Sequence, residues 1–210
     1  MKEYPKIQTV FKRDPTTNMK TLLFGEYSMS EFFYLADNQW VFTEKVDGTN
    51  IRVMIADGRI TFGGKTDAAQ IPASLVERLN ERFLPQTERL LEMFPDGGCL
   101  YGEGYGARIQ KGGGNYRADQ DFVLFDAMVG PWWLMRDSLL DIGSKLSIDV
   151  VPMVDCGTLP EMVEKASSGF NSAWGSFPAE GIVARPLLGL CTRSGQRIIT
   201  KIKYKDFPTP

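Results

Sequence analysis

QWVFTEKVDGTNIRVMIADGRITFGG, residues 39–64, is the stretch on which the fold turns. Val, Ile, Phe and Thr dominate it, and the apolar runs break at Asp47-Gly48 and again at Asp57-Gly58. β-Branched and aromatic residues favour strands, and Asp-Gly between such runs marks a tight hairpin. The pattern predicts one strand ending near Lys45 and a hairpin turning at Asp57-Gly58.

Further along, Leu75, Val76, Leu79 and Phe83 recur at helical spacing, and Leu90, Leu91 and Phe94 follow beyond Pro85. Two short helices are expected between Pro72 and Phe94. CLYGEGYG (99–106) and DFVLFDAMV (121–129) read as strands flanking a glycine-rich basic loop, GARIQKGGGNYR (106–117). An amphipathic stretch from Asp137 to Leu146, a strand VVPMV (150–154) and a helix from about Pro160 come next. GIVAR (181–185) and RIITKIKY (197–204) complete the strands. Strands with helices inserted between them, without regular βαβ alternation, imply an α+β fold of antiparallel sheets flanked by helices. At 210 residues the chain is expected to form a single domain, 1–210.

Composition excludes several classes. No run approaches the roughly 20 apolar residues of a membrane span, and MKEYPKIQ lacks a signal-peptide core, so the expected location is cytoplasmic, with no membrane partner. Histidine is absent, which removes Ser-His and Cys-His catalysis. Cys99, Cys156 and Cys191 are too scattered for a disulfide framework or a CxxC site, and are expected to be buried thiols. Lysine and carboxylates must carry any chemistry. The net charge of −2 hides local bias: no acid occurs from Gly181 to Lys205. Six cations do, among them Lys201 and Lys203. Arg108, Lys111 and Arg117 surround the triplet Gly112 to Gly114. Either segment suits phosphates or a plain solvated face. The glycine-rich loop lacks a GxxxxGK[ST] pattern and reads as a flexible basic loop for RNA. Trp132 and Trp133 fit a hairpin packed on the core.

Lys45-Val46-Asp47-Gly48 alone is equally the end of a strand with an exposed lysine. Five segments in order change that. KVDGTN (45–50), LYGEGYG (100–106), FVLFDA (122–127), EGIVARP (180–186) and TKIKYKDF (200–207) resemble motifs I, III, IIIa, IV and V of the covalent nucleotidyltransferase superfamily of polynucleotide ligases and mRNA capping enzymes. Asn50, where DNA ligases and capping enzymes usually carry arginine, resembles the phage-type ATP-dependent RNA ligases. So do YPKIQTVFKRD (4–14) and GGKTDAAQIP (63–72), although Lys65 stands where those ligases usually have arginine.

The resemblance implies an enzyme in which Lys45 attacks ATP and carries AMP, transfers it to an RNA 5′-phosphate, and seals that end to a 3′-OH. A lysine amine attacks only when unprotonated, and its ordinary pKa is about 10.4, so such a site needs burial or nearby cations. Lys201 and Lys203 alternate with Ile202 and so share one strand face. In the resembled enzymes they contact the nucleotide phosphates. Asp47, Glu103 and Glu180 are the candidates to hold Mg²⁺ or Mn²⁺, hard ions that prefer oxygen. Phe125 matches the aromatic that stacks on the purine, Glu44 is a candidate for the adenine amino group, and Asn50 and Lys65 are further nucleotide-site candidates. Ligases of this superfamily generally carry a second, often OB-fold, domain after motif V. Such a C-terminal domain is not expected here, and a partner protein supplying substrate grip is one way to replace it. A DNA ligase or capping-type enzyme, and a noncatalytic nucleotide- or RNA-binding module, remain alternatives.

Overall fold

The computed structural model describes residues 2–207 and has an α+β architecture of mostly antiparallel sheets flanked by helices. Two pairings are parallel, Gln8–Thr9 with Thr200–Lys203 and Asp149–Val150 with the Gln120–Val129 strand. The chain forms two compact units: a first of Met1–Pro5 and Asp47–Val151, a second of Lys6–Val46 and Pro152–Pro210. Each contains its own apolar core. No helix among the described residues is long and apolar enough to cross a membrane.

In the first unit, strands Thr49–Ala56 and Arg59–Gly63 form the expected hairpin. Asp57 and Gly58 take φ of 51° and 71°, the two positive values of a type I′ turn. Thr49–Ala56 pairs on its other side with Gly98–Gly106, which pairs in turn with Gln120–Val129. Ile51, Val53 and Ile55 bury against Leu75, Leu79 and Phe83 of helix Ala73–Phe83 and Leu90 of helix Thr87–Met93. The amphipathic stretch forms helix Arg136–Leu146 on the same core. Trp132–Trp133 pairs with the Gln120–Val129 strand as a hairpin; Trp132 is 74% exposed, while Trp133 meets the rings of Tyr4 and Tyr101.

A five-stranded sheet organises the second unit, in the order Gln8–Thr9, Thr200–Lys203, Gly181–Pro186, Trp40–Glu44, Met153–Gly157. Helix Leu159–Ser168 begins at a capping box in which Thr158 and Glu161 satisfy each other's backbone amides. It packs Leu159, Met162 and Ala166 on Phe42, Ile182 and Ile202.

Two expectations are corrected. VVPMV is not one strand: Asp149–Val150 belongs to the first unit and Met153–Gly157 to the second, with the division at Pro152, which has no N–H for a ladder. Only Cys99 is buried. Cys156 is exposed because Met153–Gly157 is a sheet edge, and Cys191 is exposed near an isolated bridge to Arg197.

One polar cluster ties the first unit together. Asp121 is almost fully buried and accepts hydrogen bonds from Arg78, Arg82 and Arg117, and from the Phe122 amide at 2.9 Å. Burial opposes its ionisation, but the guanidiniums outweigh burial and hold its carboxyl below the ordinary range. The resulting stabilisation is complete above about pH 4, the ordinary carboxylate value, and is lost as pH falls through the lower folded-state value. Asp121→Asn is expected to cost about 2 kcal/mol at neutral pH, less than a fully buried pair because the arginines reach water. Urea unfolding from pH 7 to 3 checks this: the variant should lose stability at pH 7 and converge on the wild type in acid.

Candidate functional site

Five of the predicted residues, Glu44, Lys45, Glu180, Lys201 and Lys203, lie in the second unit, on three adjacent strands of its sheet or just beyond their ends. Glu44 is the last residue of the Trp40–Glu44 strand, opposite Ile182. The pairing runs one step further, with the Lys45 amide donating to Gly181 O at 2.9 Å. On the other side Gly181 is the register partner of Lys203, and the Tyr204 amide donates to Glu180 O at 2.9 Å. Gly181 thus stands between both lysines. An added Cβ there would meet Ile202 O at 2.2 Å, so a side chain would force the third strand away.

This register delivers Glu180 between two ammonium groups. Its Oε2 accepts from Lys45 Nζ and its Oε1 pairs with Lys203 Nζ. The carboxylate side chain is only 10% exposed. Burial disfavours its charge, yet Lys45 and then Lys203 overcome that and keep its pKa below the usual value. One carboxylate and two ammoniums leave a net charge of +1. Lys201, two residues before Lys203, is half-buried on the same strand face, where alternation puts it.

Glu44 is 2% exposed. Its Oε1 accepts from Ser172 Oγ at 2.6 Å and its Oε2 from the Ala173 amide at 2.8 Å. Burial still dominates, and raises its pKa. Ser172 and Ala173 were invisible as site residues in the sequence, since neither falls in a motif and no spacing ties them to Glu44.

Asp47, Asn50, Lys65, Glu103 and Phe125 belong to the first unit. Gly48 packs so tightly that an added Cβ would lie 2.3 Å from Gly104 O and 2.7 Å from Glu103 Cγ. The pairing Asn50↔Glu103 follows directly, and Asp47 lies in the bend two residues before the Thr49–Ala56 strand that pairs with the strand of Glu103. Asn50 Oδ1 is buried without a hydrogen-bond partner, an acceptor open to a donor from a ligand.

Phe125 owes its setting to a bulge. Tyr101 pairs with Asp126 and Gly102 with Leu124, which leaves Phe125 as the extra residue. Leu124 and Ala127 can then both face the core, which strict alternation would forbid. Phe125 is half-buried with its ring edge-on to Tyr4 at 5.0 Å, and the Tyr4 hydroxyl donates to fully buried Asp126 at 2.9 Å. Lys65 is exposed on the loop after Gly64, whose carbonyl accepts from buried Arg52.

The glycine-rich loop differs from expectation. Gln110 Nε2 donates to Gly48 O at 3.0 Å, and the Asp47 amide donates to Tyr116 Oη at 3.2 Å. Gly113 is buried and Arg117 is held by Asp119 and Asp121. The loop is a brace for the Asp47-Gly48 turn as well as a cationic surface.

Among the described residues no three His, Cys, Asp or Glu side chains gather as a metal-binding cluster. A Mg²⁺-like ion does not require one, because it commonly uses one or two carboxylates with water and substrate phosphates. Half-buried Asp47 and Glu103 supply oxygens of that kind.

A family model described as RNA ligase matches residues 38–204. No curated protein matches the chain. Solved structures of the Naegleria gruberi RNA ligase are similar in fold. An apo mutant aligns at TM-score 0.66 and 18% identity over 97% of this chain and 57% of that one. A mutant with ATP and Mn aligns at 0.66 and 17% over 96% and 57%, and the enzyme with PPi at 0.66 and 18% over the same shares. The chain thus spans little more than half the length of those proteins.

Gly48→Ala tests the close approach of the two strands. It is expected to lower stability by about 1–3 kcal/mol through overpacking, read as a lowered thermal midpoint. An unchanged midpoint would contradict the packing described.

Proposed function

Since the chain belongs to the RNA ligase family, we propose that it is an ATP-dependent RNA ligase in which Lys45 is the nucleophile. The observation that carries this reading is the pairing of Lys45 and Lys203 with one buried carboxylate, Glu180.

In the first step the Lys45 amine attacks the α-phosphorus of ATP. A P–N bond forms, the bond to pyrophosphate breaks, and the amine's proton leaves to solvent. Glu180, whose depressed pKa makes it a weak base, orients Lys45 and does not deprotonate it. Lys201 and Lys203 neutralise phosphate charge. In the second step a 5′-phosphate oxygen of RNA attacks the lysyl-AMP phosphorus, releasing Lys45. In the third, an RNA 3′-OH attacks the activated 5′-phosphorus and AMP leaves with the bonding pair. Each step exchanges one bond to phosphorus for another, so positioning and charge neutralisation carry the catalysis.

Asp47, Glu103 and Glu180 are the residues to hold a divalent cation, Mg²⁺ or Mn²⁺, which would supply further neutralisation of phosphate charge. Phe125 stacks on adenine, Glu44 accepts from its amino group, and Asn50 Oδ1 takes a donor from the nucleotide. Lys65, exposed and cationic, contributes to phosphate attraction. The similar Naegleria structures with ATP and Mn support the choice of nucleotide and metal class.

ATP labelled at the α-phosphate, with Mg²⁺, is expected to label the wild type covalently and to leave Lys45→Ala unlabelled. Labelled GTP should give no adduct, and a chelator should abolish the ATP adduct. Absence of label on folded wild type, or equal label on the variant, refutes the mechanism; sealing of 5′-phosphorylated RNA then tests the later steps.

A further inference from the structure

On the ATP reading of this site, we infer that Ser172 and Ala173 are positioning residues that hold Glu44 as a hydrogen-bond acceptor and thereby select a purine with an amino group at position 6. The hydrogen bonds place a donor at each oxygen of Glu44. A serine hydroxyl has one proton and two lone pairs. The Trp174 amide donates to Ser172 Oγ at 3.2 Å, which occupies a lone pair and leaves the hydroxyl proton for Glu44 Oε1 at 2.6 Å. The other oxygen of Glu44 faces the Ala173 N–H at 2.8 Å, which cannot act as an acceptor. The ionised Glu44 is therefore met by a donor at each oxygen, and its Oε2, facing the Ala173 N–H, must stay an acceptor.

The holding hairpin is itself anchored. Asn171 bridges Pro178, the Ser172 amide donates to Phe177 O at 2.8 Å, and the Ala179 amide donates to Phe170 O at 2.9 Å. Its last residue precedes Glu180, the partner of Lys45. One hairpin thus fixes both the carboxylate before the nucleophile and the carboxylate that binds it. Any further group meeting the spare lone pairs of Glu44 must be a donor. Adenine presents an amino group at that edge of the ring where guanine presents a carbonyl. A buried acceptor facing that carbonyl would go unpaired, a mismatch that polar sites reject strongly.

The test is calorimetric binding of ATP, GTP and purine riboside triphosphate, which lacks the amino group, to wild type, Ser172→Ala and Ser172→Thr at pH 8 and 6. Loss of a hydrogen bond to a charged group is expected to weaken ATP binding about tenfold in Ser172→Ala. Ser172→Thr should recover it to within about twofold, since it keeps the hydroxyl. With purine riboside triphosphate the two proteins should bind alike. The Ser172→Ala deficit for ATP should widen at pH 6, because burial already raises the Glu44 pKa and the hydroxyl favours the ionised form. Equal ATP affinity in Ser172→Ala and wild type overturns the inference. An equal deficit with purine riboside triphosphate also overturns it, by reducing Ser172 to a structural role. Affinity reads this inference and covalent label reads the lysyl-AMP mechanism: wild type that binds ATP and takes no label refutes the mechanism while the Ser172 comparison stands.

Discussion

The Glu180 carboxylate with an ammonium on each of its oxygens is the constraint on which the second unit's architecture depends. A buried carboxylate is tolerated only when its charge is compensated, and two lysines on different strands compensate this one. The strand order follows. Gly181–Pro186 must lie between the strand that ends before Lys45 and the strand that contains Lys203, and Gly181 must be free of a side chain for the approach to be close enough. Neighbouring apolar residues then follow the register, Ile182 and Ile202 downward into the core with Phe42. Core and charge cluster are thus two faces of one alignment, and a slip of one residue would bury the lysines and expose the isoleucines.

Much of this was legible because the sequence states period and punctuation locally. The Asp57-Gly58 hairpin, the helices at Ala73–Phe83, Thr87–Met93, Arg136–Leu146 and Leu159–Ser168, and the alternation of Lys201, Ile202 and Lys203 all rest on neighbours within a few positions. VVPMV failed because five apolar residues give no sign that the chain passes there from one unit to another; only Pro152 hinted at it. Cys156 failed for a related reason. Burial of a thiol depends on whether its strand is central or at an edge, which strand order decides and sequence does not state.

Candidate site residues were legible where a resemblance supplied them and illegible where only the tertiary structure does. Glu44 meets partners 128 and 129 positions away, with no local pattern to announce them. The bulge that singles out Phe125 depends on the count of residues in two strands, a property of pairing and not of composition. Gln110 and Tyr116 reveal the limit of reading charge and glycine content. That loop looked like a mobile basic surface, but two of its uncharged side chains secure the backbone of Asp47 and Gly48.

Under the proposed ATP-dependent mechanism, the same polar bonds give an order of events at Glu180. Lys45 and Lys203 share this single carboxylate as their counter-charge, and the group retains a net charge of +1. An incoming polyphosphate offers the lysines many more acceptor oxygens and considerably more negative charge than Glu180 does. Each ammonium can then exchange a carboxylate partner for a phosphate one without passing through an unpaired state, which would be the costly one in a buried setting. In that mechanism Glu180, relieved of a lysine, would be a buried anion that a divalent cation could compensate. The ion pair that holds the strands together would thereby link phosphate binding to metal binding.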